Sequence, residues 1–227
     1  MIDRWGYKLA SHPNDKSSRA SYKMTTHSAV LHDASYTECI QVAGPLSELT
    51  RIFASLADPT LPSPAATRFT DGVRYGVTNL YEEKKYPYGF ICEATFLWRP
   101  EVPEAESELE IKVDSNVVEA SRTVWVWVHP AAGQQTLDTL NRTIRQEPTA
   151  AASVSVINLS GELLKFELCG PRAHDVLANV LQVYNQGADS KTAEVWQALK
   201  ALRTPSSLPK DVVLALTVQD PRLSYER

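Results

Sequence analysis

The pattern of apolar and polar residues predicts a succession of strands and helices along the chain. Spacing typical of strands occurs at residues 36–43, 72–81, 90–98, 122–128, 154–159, 163–168 and 211–218, the last of these buried. Helical spacing predicts helices at residues 16–24, after 170–171 and at 190–202. Two more helices are predicted by apolar stripes, one along Leu46, Leu49, Ile52, Phe53 and Leu56 and one along Leu137, Leu140 and Ile144. The helix after 170–171 is expected to bury Val176, Leu177, Val180 and Leu181, and the helix at 190–202 has its apolar stripe along Val195, Leu199 and Leu202.

Residues 122–128 give the clearest strand pattern. Valines alternate there with Trp125 and Trp127, so both faces are apolar and the strand is expected in the centre of a sheet. The two tryptophans point the same way, and we expect them to pack in the core rather than to stack on bases.

Residues rich in glycine and proline mark the connections. A loop is predicted to end at Asp33, another to cover residues 58–66 with three prolines, and a turn to cover 82–89. Ser160 and Gly161 lie between two predicted strands, 154–159 and 163–168, which predicts a β-hairpin.

A strand, a tight turn and a helix recur in the sequence. Residues 40–45 followed by a helix resemble residues 166–171 followed by a helix, and residues 125–130 form a looser third copy. Together with the strand pairs between them, these copies predict an α+β fold of mixed sheets with repeated ferredoxin-like units.

The composition is that of a soluble globular protein, with 43% hydrophobic and 22% charged residues among 227. A net charge of −4 argues against a surface that coats nucleic acid uniformly. No apolar run approaches the roughly 20 residues of a membrane helix, and the polar first residues predict no signal peptide. Cys39, Cys92 and Cys169 are widely spaced among apolar neighbours, so we expect buried thiols in a reducing compartment.

The first thirty residues differ from the rest, because five cations and two acids give them a charge of +3. Aromatic and hydroxyl side chains lie among these cations, a mixture that suits phosphates and bases; a solvated surface arm is the alternative. In the predicted helix 16–24, which Asn14 or Asp15 would cap, Lys16, Arg19 and Lys23 share one face. That face is the leading candidate for phosphate contact.

Residues 100–119 are acidic and poor in apolar side chains. This composition predicts a mobile insertion, with a protein-binding acidic segment as the alternative.

We find no catalytic or metal-binding motif. The histidines His12, His27, His32, His129 and His174 lack the spacing of metal ligands. His32 and Asp33 could form an acid–base pair, but neighbouring residues on an extended chain point apart, and a turn or cap aspartate is the alternative. Gly44 and Gly170 are explained by strand-to-helix turns.

Several motifs resemble the Pop1 family, the large protein subunits of eukaryotic ribonuclease P and ribonuclease MRP. They are W-G-Y-K-L from Trp5, K-S-x-R-A from Lys16, L-x-D-x-S-Y from Leu31, Thr95–Trp98, Trp125–Pro130, Ser160–Phe166, Cys169–Pro171 and Leu208–Leu223. They follow the order of the family over nearly the whole chain, and the first and last are the most specific. The chain resembles a central fragment, because the family normally has more chain on both sides, including an upstream basic motif.

The resemblance implies an RNA-binding arm at residues 1–35 and a core at 36–227 similar to the glycine-cleavage T-protein fold. It implies a non-catalytic scaffold without cofactor or metal, in the nucleus and nucleolus, that binds ribonuclease P RNA, ribonuclease MRP RNA and smaller protein subunits during tRNA 5′-leader removal and pre-rRNA processing. No membrane partner is expected. The RNA-binding residues would be Arg4, Trp5, Lys8, His12, Lys16, Ser17, Arg19, Tyr22 and Lys23. The fold kinship leaves a folate-dependent aminomethyltransferase-like enzyme as the alternative, although no acidic residue matches a pterin-binding motif.

Overall fold

A computed structural model of the chain describes residues 1–14, 16–100, 121–184, 190–202, 205–220 and 222. The helices are α1 Ser17–His27, α2 Leu46–Leu56, α3 Thr67–Thr70, α4 Pro130–Gln146, α5 Pro148–Ser153, α6 Ala173–Val180 and α7 Ser190–Lys200, with a 3₁₀ turn at Pro205–Ser207. The strands are β1 Ile2–Arg4, β2 Tyr7–Leu9, β3 Val30–Asp33, β4 Glu38–Pro45, β5 Tyr75–Tyr81, β6 Phe90–Trp98, β7 Ser121–Val128, β8 Ser155–Asn158, β9 Phe166–Cys169, β10 Gln182–Val183 and β11 Val218–Gln219.

The contacts divide the chain into two compact units. Residues 35–164 form the central unit, and residues 1–34 together with 165–227 form the two-segment unit. The division into an arm at 1–35 and a core at 36–227 stays a prediction. The acidic insertion lies almost wholly outside the described residues, since only Pro100 of it is described.

The central unit is built on an antiparallel sheet of five strands in the order β5-β6-β7-β4-β8. The strands β4, β6, β7 and β8 and the helices α2 and α4 follow the β-α-β-β-α-β order of a ferredoxin-like unit, with β5 added at the edge beside β6. The predicted α+β class with ferredoxin-like architecture is confirmed.

The core of the central unit lies between one face of this sheet and the helices α2 and α4. Val124, Val126 and Val128 of β7 are at most 2% exposed and share this core with Phe53 and Leu140. Strand β7 is central, as predicted, and its period of two directs alternate side chains into the core.

The prediction that Trp125 and Trp127 are core residues is wrong. They lie one position out of phase with the valines, half-buried on the opposite face of the sheet. Trp125 Nε1 donates to Gln41 Oε1 at 3.0 Å on the neighbouring strand, and the two indole rings meet edge to face. The tryptophan of the core is Trp98, which is 0% exposed and donates to the Pro64 carbonyl at 2.8 Å.

The predicted hairpin around Ser160 and Gly161 is wrong as well. Gly161 has a φ of +85° and the chain does turn there, but β8 pairs with β4 whereas β9 pairs with β3. The segment predicted as a loop that ends at Asp33 forms the strand β3 at Val30–Asp33 instead. Local turn chemistry identified the turn but not the partners, which are more than 100 residues apart for β3 and β9.

Apolar positions of the two-segment unit are more exposed than their spacing predicted. Three side chains of α6 that were expected to be buried are about two-fifths exposed: Val176, Leu177 and Val180. Val195 of α7 is 47% exposed. Among the described residues of this unit, the buried side chains are instead those of Ala34, His174 and Trp196.

Two further expectations for this unit are wrong. Of the strand predicted at 211–218 only Val218 lies in a named strand, the two-residue β11. The Cys169 thiol is exposed, whereas Cys39 and Cys92 are buried as expected. Burial raises the pKa of the Cys39 thiol to about 12.

Candidate nucleic-acid interface

The chain begins with a short hairpin that presents an aromatic ring. Strands β1 and β2 pair in register, and the two residues between them, Trp5 and Gly6, have φ values of +52° and +82°. Positive φ at both central positions is the geometry of a type I′ turn, the connection that fits a two-residue hairpin. Trp5 is 41% exposed at this turn, and Arg4 and Lys8, on the strands beside it, are exposed.

Helix α1 is exposed on every side. None of its eleven residues is buried, and Tyr22 and Met24 are 71% and 52% exposed. Asn14 holds the turn before it, since its side-chain oxygen accepts from the Lys16 amide at 3.1 Å and its carbonyl accepts from the Ser17 amide at 2.8 Å. A short helix is marginal in water without packing, so little within the described contacts explains its stability.

Lys16, Arg19 and Lys23 lie along one side of this helix, and we call them the cationic face. Lys16 is the N-cap residue, and the first turn holds no acidic residue. Cations there face the positive end of the helix dipole, an arrangement that typically costs about 0.3–1 kcal/mol per charge and that a bound anion would relieve.

These cations have no carboxylate within bonding distance in the described part of the chain. Among the residues that the structure describes, no ion pair involves Arg4, Lys8 or the cationic face. Arg51 in α2, by contrast, pairs with Glu48. No described carboxylate pairs with these exposed cations, whereas the exposed Arg51 has such a partner.

The remaining predicted RNA-binding residues are His12, Ser17 and Tyr22. His12 is exposed in the loop before α1, and Tyr22 lies on α1. The Ser17 hydroxyl donates to the Asn14 carbonyl at 2.7 Å, so it supports the start of the helix.

The sequence analysis missed His27 as part of this surface. It lies in the last turn of α1, four residues after Lys23, and is exposed. Residues four apart share a helix face, so the spacing would have identified it once the helix was known to extend beyond residue 24.

Three titratable groups outside this surface, His32, Lys165 and Glu167, contact one another. His32 Nδ1 lies 3.4 Å from Glu167 Oε2, and Lys165 Nζ lies 3.2 Å from Glu167 Oε1. The hydrogen bond from Lys165, with a smaller effect of His32, lowers the pKa of the Glu167 carboxyl. All three groups lie near the surface, on or beside the paired strands β3 and β9. Their role as ion-pair partners accounts for these charged residues without a catalytic function.

The remaining histidines hold backbone groups. His129 Nδ1 accepts from the Ala131 amide at 3.2 Å and caps α4, and the His174 ring lies 2.6 Å from the Leu199 carbonyl. No group of three possible metal ligands occurs in the described ranges. No helix among the described residues has the length and apolar character needed to cross a bilayer.

The sequence is similar to a known protein family and to several of its members. The family model for the Ribonucleases P/MRP protein subunit POP1, N-terminal, matches residues 1–45. The Ribonucleases P/MRP protein subunit POP1 of Homo sapiens is 22% identical over 99% of this chain and 30% of its own length. The protein of the same name from Arabidopsis thaliana is 26% identical over 98% of this chain and 30% of its own length.

Two further matches are a nematode protein and a solved structure. The Caenorhabditis elegans Ribonucleases P/MRP protein subunit popl-1 is 21% identical over 100% of this chain and 28% of its own length. A crystal structure of glycine cleavage system aminomethyltransferase T from Bartonella henselae is similar with a TM-score of 0.47 and 20% identity, over 71% of this chain and 34% of that one.

The chain thus spans about 30% of the length of the curated relatives it matches. The family model begins at residue 1 and includes the hairpin, α1 and β3. The resemblance seen in the sequence motifs is confirmed, and the chain is related to the POP1 subunits of ribonucleases P and MRP over nearly its whole length.

Proposed function

We propose that the chain is a non-catalytic RNA-binding scaffold of ribonuclease P and ribonuclease MRP, and that the cationic face contacts RNA phosphates. The observation that carries the proposal is helix α1, which has no buried residue and displays Lys16, Arg19 and Lys23 without ion pairs to described residues. Phosphate neutralisation by lysine and arginine dominates the affinity of proteins for nucleic acids.

The hairpin and Tyr22 extend this interface. Trp5 and Tyr22 expose aromatic rings, which can stack on unpaired bases, and Arg4 and Lys8 lie on the two strands that flank Trp5. The scaffold would support tRNA 5′-leader removal and pre-rRNA processing, with the RNA performing the chemistry, and would dock smaller protein subunits in the nucleus and nucleolus.

The test is a titration of ribonuclease P RNA at several salt concentrations. Lys16→Ala, Arg19→Ala and Lys23→Ala together should flatten the slope of log affinity against log salt by roughly 2–3 units, because each phosphate contact contributes about 0.7–0.9. The effect should be similar across RNA sequences, since phosphate contacts carry no sequence information. The melting temperature should change little, since substitutions of exposed residues rarely exceed about 0.5 kcal/mol.

A matched control removes the same charge elsewhere. Arg74, Arg99 and Lys210 are exposed cations, and their triple alanine variant should keep the wild-type slope. An equal slope for wild type and the α1 variant, at equal affinity, would refute the proposed face. The folate alternative predicts instead that tetrahydrofolate, and not RNA, raises the melting temperature of the wild-type chain.

A further inference from the structure

The turn between β5 and β6 exposes three aromatic rings within five residues. Tyr86, Tyr88 and Phe90 are 41%, 80% and 57% exposed. Isolated apolar side chains are common on protein surfaces, but a group of neighbouring aromatic rings marks an interaction site. The turn chemistry of this segment accounts for its backbone and leaves these rings unexplained.

The turn is held in place by backbone hydrogen bonds. The Glu82 amide donates to the Gly89 carbonyl at 2.8 Å, and the Lys84 amide donates to the Ser55 carbonyl at the end of α2 at 3.0 Å. The rings are therefore attached to a fixed loop, which reduces the entropy lost when a ligand binds.

Two of the rings also rest on a buried one. Tyr81 is 9% exposed, and its ring centroid lies 5.2 Å from that of Tyr86 and 5.6 Å from that of Phe90, both edge to face. Tyr81 itself lies beside the Asp58 carboxylate, which accepts from the Thr60 amide at 2.9 Å. Tyr88 extends beyond this support toward solvent.

Cations accompany the rings. The side chains of Lys84 and Lys85 are 71% and 60% exposed, whereas those of their ion-pair partners Glu83 and Glu82 are 17% and 29% exposed. The four charges sum to zero, but the lysine side chains are more exposed than the carboxylates that pair with them, so an approaching anion meets the ammonium groups first.

The neighbouring part of α4 adds two arginines. An open depression of about 360 Å³ on this helix is lined by Asp138, Asn141, Arg142, Arg145 and Gln146. This depression adjoins the turn. When the Gln146 side-chain amide is oriented with its nitrogen toward Glu83, that nitrogen lies 3.0 Å from Glu83 Oε1. The charge of Arg142 is also felt at Glu82, whose pKa is lowered chiefly by its hydrogen bond with Lys85.

We propose that Lys84, Lys85, Tyr86, Tyr88 and Phe90 form a second RNA-binding surface that binds unpaired nucleotides. We call it the hairpin surface, because it lies at the hairpin of β5 and β6 and not at that of β1 and β2. Bases would stack on the exposed rings, and phosphates would approach the lysines and the arginines of α4. The inference rests on the proposed function, that the chain binds RNA, and adds a site in the central unit.

An unpaired RNA segment fits this surface better than a protein does. Protein–protein interfaces are depleted in lysine, glutamate and aspartate relative to the rest of a surface, and here four consecutive charged residues, 82–85, adjoin the rings. Single-strand-binding surfaces combine aromatic stacking with cations along the backbone of the nucleic acid.

The experiment uses the full chain and a fluorescent oligouridylate of roughly ten nucleotides, within the 4–16 that one single-strand-binding fold covers. Tyr88→Ala should weaken binding about 5- to 150-fold, which corresponds to the 1–3 kcal/mol of one stacked base. Tyr88→Phe should restore most of it, because the ring rather than the hydroxyl makes the contact. Tyr184→Ala, at an exposed tyrosine of the other unit, is the matched control and should bind as the wild type does.

Salt dependence separates stacking from charge. Lys84→Ala with Lys85→Ala should flatten the log–log salt slope by about 1.4 units, near 0.7 for each phosphate on a single strand, whereas Tyr88→Ala should lower affinity at an unchanged slope. Tyr88 is so exposed that its alanine variant should keep the wild-type melting temperature, which excludes unfolding as the cause.

The possible failures can be told apart. If the wild type binds neither this oligonucleotide nor ribonuclease P RNA, the proposed function and this inference are both wrong. If the wild type binds and Tyr88→Ala binds equally well, only the hairpin surface is refuted. Intact RNA binding with weakened association of a protein subunit would assign the surface to a protein partner instead and overturn the inference.

Discussion

Helices α1 and α2 have the same length, eleven residues each, and opposite surroundings. Helix α2 buries Leu49, Ile52, Phe53 and Leu56 and carries Glu48 in its first turn. Helix α1 buries none of its residues and carries no acid in its first turn, which holds Arg19 and follows the N-cap residue Lys16. Apolar burial and charge placement stabilise α2 within its own unit.

The two helices therefore differ in what their sequences are suited to do. The residues of α2 are explained by folding, because its apolar stripe faces a core. The residues of α1 do little for folding in the described contacts, and they acquire a purpose only if a polyanion binds there. Such a helix is a better guide to function than a well-packed one, since packing does not account for its composition.

The largest expected effect is the difference in stability loss between truncating a buried ring in α2 and truncating an exposed ring in α1. Phe53→Ala should lower the free energy of unfolding by about 3–5 kcal/mol, because it removes a large side chain from a packed core. Tyr22→Ala should change it by less than about 0.5 kcal/mol, as is usual for surface positions. Urea unfolding of both variants measures the difference.

The same pair should reverse its order when RNA affinity is measured. Folded Phe53→Ala should bind RNA as the wild type does, and Tyr22→Ala should bind more weakly. Equal stability losses in the two variants would mean that α1 is packed in solution and would remove the contrast between the helices.

An intermediate effect is expected for the tryptophans of β7, which lie between the two extremes. Trp125→Ala should cost about 1–2 kcal/mol, within the usual range of single substitutions, because Trp125 is half-buried and bonded to Gln41. Trp98→Ala, in the same sheet but in the core, should cost about 3–5 kcal/mol. Thermal unfolding of both variants tests this ranking, and an equal loss in the two would place Trp125 in the core after all.

The strand β7 also shows how far sequence can predict this fold. Alternation of valine and tryptophan predicts the strand and its central position correctly, since period and apolarity are local properties. It cannot tell which face meets α2 and α4, because both faces are apolar and the helices come from distant parts of the chain. The pairing of β3 with β9 escapes prediction for the same reason: partners far apart leave no local signal.

The candidate interface divides in the same way. Helical spacing alone predicts that Lys16, Arg19 and Lys23 share one side of a helix, because side chains three and four residues apart are neighbours there. The exposed rings of Tyr86 and Tyr88 give no such signal, because Tyr-Pro-Tyr-Gly is explained by a turn. Exposure depends on what surrounds a residue in three dimensions, and composition does not determine it.

The smallest effect concerns charge in the packed unit. Glu38 begins β4, and its carboxylate lies against Gly133 near the start of α4, in the space that a β-carbon there would occupy. Burial raises the pKa of Glu38 above its ordinary value of 4.5. The cations of α1, which are exposed, have no comparable cost of burial.

The sign of the pH effect follows from proton binding. Above the ordinary pKa and up to the raised value, the folded state holds the Glu38 proton more tightly than the unfolded state does, so the free energy of unfolding falls as pH rises through this window. Glu38→Gln keeps the shape without the charge and should be more stable than the wild type at pH 7, by less than about 1 kcal/mol. At pH 4 the two proteins should have nearly equal stability. Urea unfolding at both pH values tests this. Glu93→Gln, which removes an exposed carboxylate from β6, is the control. A Glu38→Gln protein that is less stable than the wild type at pH 7 would show that the Glu38 carboxylate stabilises the contact between β4 and α4, so that interactions in the packed unit outweigh the cost of burying its charge.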